Sequence, residues 1–491
     1  MLLALFFSAA INWNADLDTL QREIPNVHPN AFHATTREAY DAAIAELRAS
    51  VPSMPPNVVV AEMARIVASI GDGHTRVAIP VDPNAGFFSG HTATKLPDDP
   101  ELHFRHLPLR FTWFSDGVFI TSAANSDLIG HRVTKIGSMS IDDAINAMAP
   151  LAAADNDAMR RLVITEFLAI PELLNAVKIA PSADRVAVNG VTLDAVPFGA
   201  DVPWLEKKDA RPFWFEARGK FVYVAFNMVA NATDETVAAF ADRLFKYVDQ
   251  HHSDGVMLDL RANTGGNNAL LKPLVHGFIR HPNLPLFVLI GRRTFSAAVD
   301  LAAELEQNTN AIFVGEPTGG RPNTYGDSRK IVLPGSGLTV RVATLYWQRS
   351  DPRDFRDSIP PHLTVSQSSA DFIAHRDLAL QTAMHVAEAM RKKGTLDGKW
   401  TGIITIDWKR IPITIDDHQI TVPDLGVKSI PISQSKFTID STEGPLQFDL
   451  KVGDGVIGGT MTAQGRTFSV LITKRTSEGR TPSSAHAAEP R

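Results

Sequence analysis

The chain has 491 residues and no cysteine, which excludes disulfides, thiolate zinc sites and a cysteine nucleophile. Hydrophobic residues make up 44% and charged residues 21%, a globular balance, and a net charge of −6 with a pI near 6.2 argues against a nucleic-acid surface. The length exceeds one ordinary domain and predicts about three.

Met1-Leu-Leu-Ala-Leu-Phe-Phe-Ser-Ala-Ala10 reads as the apolar core and small-residue end of a secretory signal, without its basic start. On that reading the protein is exported, periplasmic or extracellular. Otherwise it is cytoplasmic and the segment is a first buried strand or helix. No apolar run approaches the roughly 20 residues that cross a bilayer, so no integral membrane segment is expected.

Helices are predicted over Asp16–Ile24, from a capping box at Thr35-Thr36-Arg37-Glu38 to about Val51, and over Val58–Ile70, ending at Gly71. His74 follows in Gly71-Asp-Gly-His-Thr75, pinned before an alternating strand at Arg76–Ile79. Such a histidine is well held, whether its role is structural or chemical. Residues 80–99 read as loop. From Leu107 to about Phe198 a separate unit is predicted, with a strand at Asp116–Thr121 and a helix at Ile141–Met148 in a PDZ-like cadence. Its expected use is to hold or gate a peptide by adding it to a sheet edge.

Strands at Phe221–Asn227, Gly255–Leu260, Leu286–Ile290 and Ile312–Val314 alternate with helices, one of them over Asp234–His251 capped by Thr233. That alternation predicts an α/β core with sites at the carboxyl ends of its strands. Ser296 falls at one such end and opens a helix through Leu305. A serine there caps helices well. The same place also sets a hydroxyl beside unpaired N–H groups that can bind an oxyanion. Lys330–Trp347 reads as a hairpin around Pro334-Gly-Ser-Gly337, and Asp371–Lys392 as a closing helix. Beyond Gly394, strands at Gly402–Trp408, Ile411–Ile415, Gln447–Val452 and Phe468–Ile472 predict a small all-β domain. The polar end, 476–491, reads as disordered. The sixteen histidines are scattered with no HExxH, so neither a metal site nor a cofactor is expected.

Gly71-Asp-Gly-His-Thr75, Leu258-Asp-Leu-Arg-Ala-Asn-Thr-Gly-Gly266, Thr294-Phe-Ser-Ala-Ala298 and Gly315-Glu-Pro-Thr-Gly-Gly320 occur in an order that resembles the C-terminal-processing and tricorn-type serine peptidases. His28-Pro-Asn30 and Ile359-Pro-Pro361 fit as well, so the resemblance spans roughly residues 12–390. It implies a crotonase/ClpP-like peptidase core. Ser296 matches the family's nucleophile, Gly265 or Gly266 with the N–H of Ala297 its oxyanion hole, and His74 the general base of the tricorn branch. The C-terminal-processing branch uses a lysine where this chain has Arg321, and an arginine cannot serve as that base. Arg321 is left to bind a substrate carboxylate or to brace its turn. Asp354, with Asp357 as second choice, matches the acid that orients the histidine. Gly73 stands where the tricorn branch has a serine.

The resulting expectation is an α/β multidomain serine peptidase. Residues 1–10 are a signal remnant, 11–80 an N-terminal helical region, 81–200 a PDZ-like insert, 201–394 the peptidase core and 395–475 an all-β accessory domain. Its partner is a peptide or protein substrate, and a homo-oligomer is possible. The rival readings are an inactive peptidase-like binding protein and an esterase or amidase on small substrates. The missing GxSxG argues against an α/β-hydrolase.

Overall fold

The computed structural model describes residues 11–80, 97–197, 211–406, 408–442 and 444–474. The expected signal segment, most of the 80–99 loop and the expected tail lie outside these residues. The chain forms two compact units, one of residues 1–208 with 323–347, the other of 209–322 with 348–491.

In the first unit three helices, Trp13–Val27, Arg37–Ser50 and Pro56–Ala68, bury Leu17, Leu20, Ile24, Tyr40, Ile44, Val59, Met63 and Ile66. These recur at helical spacing, which gives each helix an inward stripe. The capping box expected at Thr35 is not formed. Thr36 is the N-cap and its hydroxyl accepts the N–H of Ala39, so Glu38 falls one place short of the reciprocal position. The third helix runs into Gly71 at φ +89° and then the short strand Arg76–Val77. That strand pairs antiparallel with Thr339–Val342, which also forms the predicted hairpin with Arg329–Val332. Further along lie the Leu109–Phe114/Gly117–Ala123 hairpin and the Ile141–Met148 helix. A four-stranded sheet runs in the order Met139–Ser140, Lys135–Ile136, Arg185–Val188, Val191–Asp194.

The second unit is built on a six-stranded sheet in the order Leu363–Thr364, Ile312–Gly315, Leu286–Ile290, Gly255–Asp259, Phe221–Phe226, Phe213–Arg218. All pairings are parallel except the last. Parallel strands are covered on both faces and so read as continuous apolar runs, as Leu286–Ile290 does. On one face Val256, Leu258, Val288 and Ile290 pack with Phe240, Leu244, Leu274 and Leu301 of the helices Val237–Gln250, Lys272–Arg280 and Ala297–Asn308. On the other, Met257, Phe287, Leu289 and Val314 pack with Ala383 and Val386 of the Leu378–Ala389 helix and with Val456 and Leu471. The helix expected over Asp234–His251 starts later, at Val237, because Thr236 rather than Thr233 supplies the cap.

The single closing helix expected at Asp371–Lys392 is two. A capping box of Ser368 and Asp371 opens Ser369–Ile373, His375 turns left-handed at φ +51°, and Asp377 caps Leu378–Ala389. Beyond it eight antiparallel strands, from Lys399–Ile406 to Arg466–Lys474, form one sheet whose first and last strands pair with each other. Trp400, Ile413, Val422, Leu446, Phe448 and Met461 help fill its interior. Four of these strands, among them Val456–Ala463 with its paired glycines, were not predicted. No helix among the described residues is long and apolar enough to cross a membrane.

Candidate active site

Ser296 lies between the buried Leu286–Ile290 strand and the Ala297–Asn308 helix. Its backbone is at φ +54°, ψ −130°, a region that non-glycine residues occupy at a cost of about 1–3 kcal/mol. Its side chain makes no capping hydrogen bond to the helix. The bland role of an N-cap is thus not the one adopted. The turn is over-determined instead. The Phe295 N–H donates to the Asn263 carbonyl, the Thr294 hydroxyl to the Leu260 carbonyl, and the N–H of Asp300 to the carbonyl of Ser296 itself.

The Gly265-Gly266 loop closes on this turn. A Cβ added to Gly265, at φ +108°, would lie 2.6 Å from the Ser296 Cβ and 3.0 Å from the Ala297 nitrogen. The Gly265 N–H donates to Asn263 Oδ1, so this glycine contributes a close approach and not a donor. Gly266, at φ +139°, bridges to Val229 through bonds made by its neighbours, Val229 N–H to Gly265 O and Asn267 N–H to Val229 O. Its own N–H takes part in neither. The N–H of Ala297 opens the helix, where donors have no intrahelical acceptor.

The Gly315–Gly320 motif docks on the same turn. The N–H of Gly319 donates to the Thr294 carbonyl, Glu316 N–H to the Ile290 carbonyl, and the Thr318 hydroxyl accepts the Ile359 N–H. Arg292 pairs with Glu316. Asp259 and Arg261 tie loop to core: Arg261 grips Asp259 and also both oxygens of Asp377. Three of the four motifs therefore converge around Ser296 within the second unit.

Asp354 is buried in the same unit. Arg356 donates to both its oxygens, through Nε at 3.0 Å and Nη2 at 2.9 Å, and with the same guanidinium grips both oxygens of Glu306. Glu306 sits on the helix that Ser296 opens, ten residues on, which is about 15 Å down its axis. Asp357 pairs with the Ser358 hydroxyl at the surface.

His74 belongs to the first unit and is 8% exposed. Its turn is held by two buried carboxylates. Asp72 Oδ1 accepts the N–H groups of His74 and Thr75, and Asp155 Oδ1 accepts that of Gly73 while its Oδ2 accepts the Thr324 hydroxyl. Gly73, just before His74, is thus anchored through its backbone. Asp72 Oδ2 is hydrogen-bonded to His28 Nε2 at 3.0 Å, and His28 Nδ1 accepts the Asn30 N–H. Burial pushes the Asp72 carboxyl up, but the hydrogen bond from His28, helped by that of Thr75, brings it below its ordinary value.

Sequence reasoning missed Asp155, which meets Gly73 across 82 positions with no local sign. It also missed Asp300, although a lone acid on an otherwise apolar helix face was the available signal. Asp300 Oδ2 accepts from Asn268 Nδ2 at 2.9 Å and faces Arg349 Nε at 3.2 Å. Among the described residues no cluster of three or more His, Asp or Glu side chains is placed to hold a metal ion.

A parallel sheet under helices, with a strained serine at a strand-to-helix turn and a diglycine loop against it, is a mixed α/β framework suited to acyl chemistry. Residues 276–365, which carry Ser296 and the Gly315–Gly320 motif, match the model of peptidase family S41, so the resemblance to C-terminal-processing and tricorn-type peptidases is met at the level of the family. Among solved structures the chain is similar to mature CPAF complexed with lactacystin, at 12% identity over 77% of this chain and 98% of that one, with a TM-score of 0.54. A point mutant of CPAF gives 12%, 78%, 98% and 0.55. At that identity the likeness is one of fold. No curated protein matches the chain by sequence.

Proposed function

We propose that the chain is a serine peptidase that hydrolyses peptide bonds through an acyl-enzyme on Ser296, with His74 as general base. The observation that carries this reading is the left-handed, uncapped backbone of Ser296 against Gly265, a strain that a helix start has no use for. The S41 match over the same segment supports the class of reaction.

In the proposed sequence the Ser296 hydroxyl attacks the scissile carbonyl carbon and His74 takes its proton. The carbonyl oxygen becomes an oxyanion, received by the N–H groups of Gly266 and Ala297. The C–N bond breaks as His74 passes the proton to the departing amine. Water then attacks the ester, His74 takes its proton, and Ser296 leaves with it. Asp354 is the acid proposed to orient His74, and no cofactor enters. The same reading takes the core as crotonase/ClpP-like and residues 81–200 as a PDZ-like insert that holds a peptide substrate at a sheet edge.

One observation favours a second reading, a binding scaffold without turnover: both oxygens of Asp354 are engaged by Arg356. Incubation with a peptide mixture and with acyl esters, read by mass spectrometry, separates the readings. Peptide cleavage lost in Ser296→Ala supports the peptidase. Cleavage of esters alone indicates a small-substrate hydrolase, and no turnover of either indicates the scaffold.

A further inference from the structure

We infer that Asp300 and Asn268 form a positioning pair that sets the distance between the two oxyanion donors, Gly266 on the loop and Ala297 on the helix. The inference rests on the proposed role of Ser296 and adds two residues to it.

Oxyanion stabilisation depends on donors fixed where charge develops, so what matters is how the two N–H groups are held relative to each other. They come from different segments. Gly266 is on the loop after the Gly255–Asp259 strand, and Ala297 is the first residue of the next helix. On its far side the loop is fixed by the Val229 bridge. On its near side the side chain of Asn268, two residues past Gly266, donates to Asp300 Oδ2 at 2.9 Å. Asp300 lies one helical turn after Ser296, and its own N–H is bonded to the Ser296 carbonyl. One residue thus holds the strained serine through its backbone and the diglycine loop through its side chain.

The chemistry of Asp300 fits that task. It is 4% exposed, on a helix whose residues from Ala297 to Ala303 are otherwise apolar, and a buried charge is costly without compensation. Burial pushes its carboxyl up, and the Asn268 amide and the Arg349 guanidinium oppose that rise. The Arg349 backbone carbonyl in turn accepts from Gln307, further along the same helix. A carboxylate needed only for solubility would face water. This one faces the loop.

The test uses the full chain and a fluorophosphonate probe, with the maximal labelling rate resolved from the half-saturating concentration and thermal stability measured in parallel. Asn268→Ala removes the tie at a partly exposed position, where the fold is expected to be kept and the thermal measurement checks it. The variant is expected to lower the maximal rate about tenfold, less than loss of a donor itself, at an unchanged half-saturating concentration. Asn268→Asp sets two carboxylates together and lowers it further. The swap Asn268→Asp/Asp300→Asn restores an amide–carboxylate bond and is expected to recover the rate to within about threefold of wild type. A purely structural role would move melting temperature and not this rescue. Wild-type labelling rates in Asn268→Ala, with Ser296→Ala unlabelled, would overturn the positioning role alone. Wild-type protein that does not label, or Ser296→Ala that still does, would overturn the reading of Ser296 and the pair with it.

Discussion

Gly265 lies so close to Ser296 that a Cβ on the glycine would stand 2.6 Å from the Cβ of the serine. No side chain other than hydrogen fits without moving the loop or the helix. Gly265→Ala is therefore expected to reduce probe labelling by at least about tenfold, since a shift of even an ångström misplaces the reacting groups. Wild-type labelling in this variant would show that the loop does not need its close approach.

Ser296 holds an unfavourable backbone that glycine adopts freely. Ser296→Gly is expected to abolish labelling while raising stability by about 1 kcal/mol, the relief of strain exceeding the entropy of the unfolded glycine. Urea unfolding checks it. A clear loss of stability would mean that the serine is not strained in the folded chain.

Arg356 neutralises two buried carboxylates at once, Asp354 and Glu306. Removing it leaves both without their cation, so Arg356→Ala is expected to cost about 3–5 kcal/mol in the second unit. Asp354→Asn separates the two roles proposed for Asp354. If it orients His74, the labelling rate falls about a hundredfold or more, as for other base-orienting carboxylates. A rate that holds while melting temperature drops would assign Asp354 to the clamp.

His362 accepts the Phe313 N–H on Nδ1 and contacts the Thr405 hydroxyl through Nε2, bridging the core sheet and the eight-stranded sheet. Burial, with Arg410 and Arg356 nearby, pushes its pKa down to about 3. The unfolded ring, near pH 6.5, binds its proton first, so this residue's contribution is constant above that value. It falls by at most about 1.4 kcal/mol per pH unit as pH drops from 6.5 towards 3. His362→Gln is expected to flatten that slope, measured by hydrogen exchange around Phe313 and Thr405. An unchanged slope would exclude this ring as the source.

How much of this was legible in the chain follows from range. The Leu286–Ile290 strand and the Ser296 helix carry local apolar patterns, and their ends fell within a few residues of expectation. Thr236 displaced Thr233 as a cap because two threonines three positions apart offer the same hydroxyl, and only packing chooses between them. The break at His375 has no glycine or proline to announce it. The pairing of Asp155 with Gly73, and of Asn268 with Asp300, joins residues whose meeting depends on tertiary structure, so composition and spacing were silent. The partner of Asp354 was local by contrast: Arg356, two residues on, grips it as Arg261 grips Asp259 and Arg353 grips Asp351, the same contact at Asp-x-Arg spacing in all three pairs.

The most direct test of the central claim is fluorophosphonate labelling of the wild type, Ser296→Ala and His74→Ala, with folding verified in each. The expected result is labelling of the wild type at Ser296 that disappears in both variants. Labelling that persists in Ser296→Ala would contradict the nucleophile, and labelling undiminished in His74→Ala would contradict the base.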